Sequence, residues 1–297
     1  MSRPILGVTH TPPNFDVPPG ACDCHTHVFG PADRFPYASG RRYTPGDASI
    51  EDLEALHRAL HIDRVVIVHP SPYAADNAVT IDAIRRMGAR ARGVAVIDEK
   101  TSDRELADMH AVGVRGVRVN LESFGESDPA VAGRALREAA ERVAPLGWHV
   151  QTFTRLGVVA ALHDVIMTLP ATLVIDHFGK PMAAAGITQP GLDRLLALLR
   201  SGKVYVKISG AYRISDLADY PDAAPMARVM IEANPDRIVW GTDWPHPAGG
   251  ARSDPSVIEP FRPEDDGAAL NRLAGWTKDR AELQKILVDN PARLYQF

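Results

Sequence analysis

The chain has 297 residues, enough to bury one large core as a barrel or as two smaller domains. Hydrophobic residues make up 45% and charged residues 24%, with a net charge of −4, so no basic stripe invites nucleic acid and no polybasic segment invites a membrane surface. No apolar run is long enough to span a bilayer, and residues 1–20 are proline-rich without the apolar core of a secretory leader.

In chain order, residues 1–20 read as an arm and 21–297 as a single domain. The first strand candidate, 21–28, runs Ala-Cys-Asp-Cys-His-Thr-His-Val. Strict alternation places Asp23, His25 and His27 on one face and Cys22 and Cys24 on the other. A disulfide across one residue would be strained, so the cysteines read as buried, reduced thiols and the protein as cytoplasmic. Ser49 and Asp52 form a capping box for a helix over 50–61, with Leu53, Leu56 and Leu60 on one face. Strands follow at 64–70, 92–98, 116–121, 149–154, 172–179, 204–210 and 237–243. Between them Gly88 and Gly113 close helices, Asp128-Pro129 opens one over 129–145, and others cover 189–200, 222–233 and 279–289. Residues 247–266 read as a long polar loop after the eighth strand.

The strands are rich in Val and Ile with little alternation, as in a parallel sheet covered on both faces. Eight of them, mostly with one helix each, predict an α/β fold, a (β/α)8 TIM barrel. No dinucleotide fingerprint or phosphate loop follows any strand. Active sites of such barrels sit at the C-terminal ends of the strands. There the sequence places His25 and His27, Ser71 and Tyr73, Arg118 and Asn120, Gln151 and Phe153, His177, Ser209 and Arg213, and Asp243. A carboxylate such as Asp243 can take a proton from water, histidines with or without a metal can stabilise an oxyanion, and arginines match carboxylates in bidentate fashion. His10, His57, His61, His110 and His163 are expected at the surface, and Trp244 as a lining residue of the site. For His69 and His149 a structural role and a role in the site stay open.

The motifs His25-x-His27, Asp176-His177-Phe178-Gly179-Lys180-Pro181 and Trp240-Gly241-Thr242-Asp243-Trp244-Pro245-His246 resemble the amidohydrolase superfamily. The branch is that of 2-pyrone-4,6-dicarboxylate lactonase and 4-sulfomuconolactone hydrolase, and the likeness runs from about Gly20 to the end. Gly116-Val117-Arg118 and the segment from Ser209 to Arg213 are similar to it too. The resemblance implies Asp243 as general base for water, and His25, His27 and His177 as groups that polarise a lactone carbonyl. It implies Tyr43, Ser71, Arg118 and Arg213 as holders of substrate carboxylates. Six residues after Arg118, where the pyrone lactonase carries a second arginine, this chain has Phe124. A mono-anionic or differently placed lactone is therefore expected.

Arg118 and Asn120 end the fourth strand and His149 begins the fifth, which argues against two metals. One divalent ion, Zn²⁺ or Mn²⁺, held by His25, His27, His177 and Asp243, and metal-independent catalysis both remain open. The leading expectation is a monomer or small homo-oligomer that hydrolyses a small anionic lactone from aromatic or sugar-acid breakdown, with no nucleic-acid or membrane partner. The alternatives are a metal-dependent decarboxylase of the same superfamily, a sugar-acid lactone isomerase, and a non-catalytic binding barrel.

Overall fold

The computed structural model describes residues 4–247 and 254–297, so residues 1–3 of the expected arm and 248–253 of the expected loop lie outside the described residues. Eight parallel strands follow one another around a sheet: β1 (Cys22–Thr26), β2 (Arg64–Val68), β3 (Ala91–Ala95), β4 (Val114–Asn120), β5 (His149–Phe153), β6 (Leu173–Ile175), β7 (Val204–Ser209) and β8 (Ile238–Gly241). The last strand returns to the first. Asp243 N donates to His25 O at 2.9 Å and His27 N to Trp244 O at 2.8 Å. The TIM barrel expected from strand count is the fold found. No helix among the described residues is long and apolar enough to cross a membrane.

Local signals account for most elements. Ser49 and Asp52 form the reciprocal capping box of the helix Ile50–Leu60, and the Asp128 side chain accepts from Ala130 N at the start of Pro129–Val143. Gly88 and Gly113 cap Ala78–Met87 and Asp103–Val112. Inside the wall, Cys22, Cys24, Val66, Val68, Val94, Val174, Tyr205 and Val239 pack with Tyr295. The Tyr295 ring lies 5.2 Å from that of His149 at the start of β5, so this layer fills the end of the barrel opposite the site.

Strand β1 departs from simple alternation. Asp23 pairs with Val65 and Thr26 with Ile67, so three steps along β1 match two along β2, a β-bulge. The extra residue lets Cys24 and His25 both face the barrel interior. The expectation that Asp23 shares the histidine face, and that the cysteines oppose it, is corrected. Asp23 points outward, where its carboxylate accepts from Thr242 Oγ1 at 2.6 Å, Thr242 N at 3.0 Å and His25 N at 3.2 Å. It clamps the bulge to the β8 end. Gly241 leaves room for this close approach, since a Cβ there would lie 2.5 Å from His25 N.

Two further expectations change. The loop after β8 carries Ile258–Glu259, which pairs in parallel with Thr44–Pro45 from the loop after β1. A helix, Asp266–Trp276, follows it. The arm packs on that helix: Thr11 N donates to Asp265 Oδ1 at 2.9 Å and Asn14 N to Asn271 Oδ1 at 2.9 Å. His10 and His57, expected at the surface, are buried. Each lies against a buried carboxylate: His57 Nε2 is 3.3 Å from Asp23 Oδ2, and His10 Nδ1, which accepts from the Asp266 backbone N–H at 3.1 Å, is 3.7 Å from Asp266 Oδ2. A buried carboxylate needs such partners, and sequence periodicity does not announce them.

Candidate active site

Four side chains from three distant parts of the chain meet at the C-terminal mouth of the barrel. Asp243 Oδ1 lies 3.6 Å from His25 Nε2 and 3.7 Å from His27 Nε2, while Asp243 Oδ2 lies 3.9 Å from His177 Nδ1. Asp243 and His177 have φ of 70° and 50°, a left-handed backbone that non-glycine residues adopt at a cost and that clusters at functional sites.

The Asp243 carboxylate is used asymmetrically. Oδ2 accepts from Arg213 Nε and from Tyr212 OH, each at 2.6 Å, whereas Oδ1 is buried without a hydrogen-bond partner. Burial by itself would raise this carboxyl, but the Arg213 guanidinium bonded to Oδ2 outweighs it and holds the group well below the usual carboxylate range. Burial pushes the histidines the other way. His25 falls to about 3, and His27 and His177 are also lowered, so the imidazoles are neutral at neutral pH. His27 Nδ1 donates to the Val68 carbonyl at 2.8 Å, since a carbonyl only accepts, and this leaves a lone pair on Nε2. His177 Nδ1 is tied to Ser209 Oγ at 2.9 Å.

Below the imidazoles lies a charged network that the sequence did not flag. Lys207, fully buried on β7, donates to Gln151 Oε1 at 2.6 Å and lies 3.6 Å from Asp176 Oδ1. Gln151 Nε2 donates to Asp176 Oδ2 at 3.0 Å, and Arg118 NH2 lies 3.7 Å from the same oxygen. His25 Nδ1 stands 3.3 Å from Asp176 Oδ1 and 3.5 Å from Lys207 Nζ. Asp176 thus links the His25 imidazole to the Arg118 guanidinium. In a strand of hydrophobic neighbours, a lone lysine gives no sequence signal of an inward ammonium.

Above the imidazoles opens a cavity of about 310 Å³, lined by His27, Tyr43, Ser71, Arg118 and Arg213, with Arg42 and Lys180 beside them. The four residues expected to hold substrate are therefore gathered in one pocket. Tyr43 is carried there by the Thr44–Pro45 pairing, and burial pushes its phenol up to about 12. Trp244 does not line this cavity. It is 2% exposed and packs in the core, correcting its expected place. His149 lies at the far end of its strand, and His69, held by Thr80 Oγ1 at 2.9 Å and Ala74 O at 3.1 Å, is structural.

A family model described as amidohydrolase matches residues 22–297. The chain belongs to the amidohydrolase family. This amidohydrolase is 39% identical to a 4-sulfomuconolactone hydrolase of Rhizobium radiobacter, over 96% of this chain and 92% of the relative. It is 38% identical to a 2-pyrone-4,6-dicarboxylate hydrolase of Comamonas testosteroni, over 95% and 92%. An apo crystal structure from Agrobacterium tumefaciens superposes with a TM-score of 0.83 at 30% identity, covering 97% of both chains.

The donor set of the amidohydrolase fits one divalent ion. His25 Nε2 and Asp243 Oδ1 are buried without partners, the His27 Nε2 lone pair faces them, and nitrogen and oxygen donors suit zinc. His177, expected as a fourth ligand, does not join this set; it falls with His25 and Asp176 in a second group that could also ligate, but the Lys207 ammonium already stands beside that group.

Buried neutral histidines make a pH prediction for the whole amidohydrolase. Burial lowers His69 and His149 to about 3. An unfolded histidine protonates near pH 6.5, so between 6.5 and 3 the unfolded chain gains protons that the folded chain refuses. Stability is therefore full above pH 6.5 and is lost as pH falls, with each histidine contributing a slope of about 1.4 kcal/mol per pH unit. His246, raised by Asp266 despite its burial, opposes them as one group. Urea unfolding at pH 7, 6 and 5 should show a steep loss, and a flat series would contradict these neutral imidazoles.

Proposed function

We propose that this amidohydrolase opens a small anionic lactone by hydrolysis, with water activated by Asp243. One observation carries the reading: Asp243 Oδ2 is locked by Arg213 and Tyr212, while Oδ1 faces two imidazole nitrogens with no partner of its own. A water between Asp243 Oδ1 and His27 Nε2 would donate to both acceptors and turn its lone pairs outward. The lactone carbonyl, set above it by Tyr43, Ser71, Arg118 and Arg213, would be attacked there. A C–O bond forms to water, the water proton passes to Asp243, and the ring C–O bond breaks as that proton is handed to the leaving oxygen. The product is a hydroxy acid or its tautomer. His25 and His177, with ring centroids 4.7 Å apart, wall the space where the oxyanion develops. When bound, a Zn²⁺ or Mn²⁺ ion held by His25, His27 and Asp243 would supply Lewis-acid polarisation of that carbonyl.

The decarboxylase alternative wants a histidine at the end of β5. Gln151 there is engaged with Lys207 and Asp176, and the Phe153 ring packs edge-on against His177. The deciding experiment offers muconolactones, pyrone carboxylates and sugar-acid lactones, with added Zn²⁺ or Mn²⁺ and with chelator, and follows the product by NMR. Ring-opened acid is the expected product. A ring-shifted lactone would make the protein an isomerase, and no turnover of any lactone would refute the reading.

A further inference from the structure

The pocket is lined by four cationic side chains, and three of them face a carboxylate of the protein itself. Arg213 is bonded to Asp243, Arg118 faces Asp176 at 3.7 Å, and Lys180 is paired with Glu122. Arg42 differs. Its NH1 donates to the Ser123 carbonyl at 2.9 Å, and among the described residues no carboxylate stands within ion-pair distance of it. A half-buried guanidinium without a counterion is costly to leave unpaired, so this pocket can receive an anion there.

The loop after β4 explains why the charge comes from here. Asn120 Nδ2 donates to Ser123 Oγ at 3.0 Å and Ser123 N returns a bond to Asn120 Oδ1 at 3.1 Å, while Arg155 Nε holds Glu122 at 2.9 Å. The turn fixed in this way lines the pocket with Ser123 and Gly125 and turns Phe124 out, leaving it 57% exposed. Position 124 therefore offers the pocket no cation, and Arg42, from the loop after β1, reaches the same turn.

We propose that Arg42 is a second anion anchor, and that the substrate is a lactone bearing two anionic groups, one for Arg118 and Arg213 and one for Arg42. This rests on the lactone reading of the site and reverses the expectation of a mono-anionic substrate drawn from Phe124. Calorimetric titration with two planar, unreactive probes tests it without turnover. Benzene-1,3-dicarboxylate should bind the wild-type protein at least tenfold more tightly than benzoate. Arg42→Gln should remove that preference, while Arg42→Lys, which keeps the charge, should retain part of it. Equal affinities for the two probes, no binding of the dicarboxylate, or a preference that survives Arg42→Gln would overturn the proposal. Lactone turnover by the wild-type protein, measured alongside, reports separately on the hydrolase reading. Should Arg42→Gln fail to fold, wild type and Arg42→Lys still decide through the probe preference and its weakening.

Discussion

Asp243→Asn should lower kcat on a lactone substrate by about 10²–10⁴-fold, the usual worth of a positioned general base. The amide can still offer its oxygen to Arg213 and Tyr212, which hold Oδ2 at 2.6 Å, so the fold and the pocket should survive. What it places toward His25 and His27 is then an NH₂ group, which has no lone pair for a water proton. KM should therefore change little, and the loss should sit in kcat. Steady-state kinetics on protein with a wild-type circular dichroism spectrum and melting curve checks this. Retention of more than about a tenth of kcat would remove Asp243 from the role of base, since even a modest base supplies more.

Lys207→Met should destabilise the protein by about 3–5 kcal/mol, the cost of leaving one partner of a buried ion pair alone. The cause is specific. Lys207 is 0% exposed, and without its ammonium the Asp176 carboxylate, also 0% exposed, keeps only Gln151, the more distant Arg118 and His25. In the wild-type protein burial and the neighbouring Lys207 ammonium lower His25 to about 3, so at pH 7 Lys207 rather than the imidazole carries the charge that pairs with Asp176. Asp176→Asn in the same background should recover part of the loss, since the pair acts as a unit. Urea unfolding of the two single variants and the double variant gives the coupling. Strict additivity would show that Lys207 and Asp176 do not depend on each other.

The repeating pattern was legible because it is local. Val- and Ile-rich runs, the Ser49 and Asp52 box, Asp128-Pro129 and the glycines at 88 and 113 each work within a few residues, and each sits where the sequence placed it. The gathering of His25, His27, His177 and Asp243 followed from one further rule, that strand ends of a barrel share one mouth. The bulge in β1 escaped because one inserted residue reverses the parity on which face assignment depends, and no residue type in Asp23-Cys24-His25 signals it. Glu122, Lys180 and Arg42 escaped for another reason. Their partners lie in other loops, and charged residues in loops are read as solvated unless a contact is known.

By itself, then, the sequence determined the alternating fold, the mouth of the barrel at which chemistry gathers, and the residue types that gather there. These depend on periodicity and on strand order, both of which are written along the chain. Tertiary structure alone decided which oxygen of Asp243 is free, which cation of the pocket lacks a counterion, and that an ammonium and a carboxylate stand buried beneath His25. Each of these is a matter of a few ångströms between groups far apart in sequence. Burial and pairing at that range set charge state and direction, and therefore chemistry.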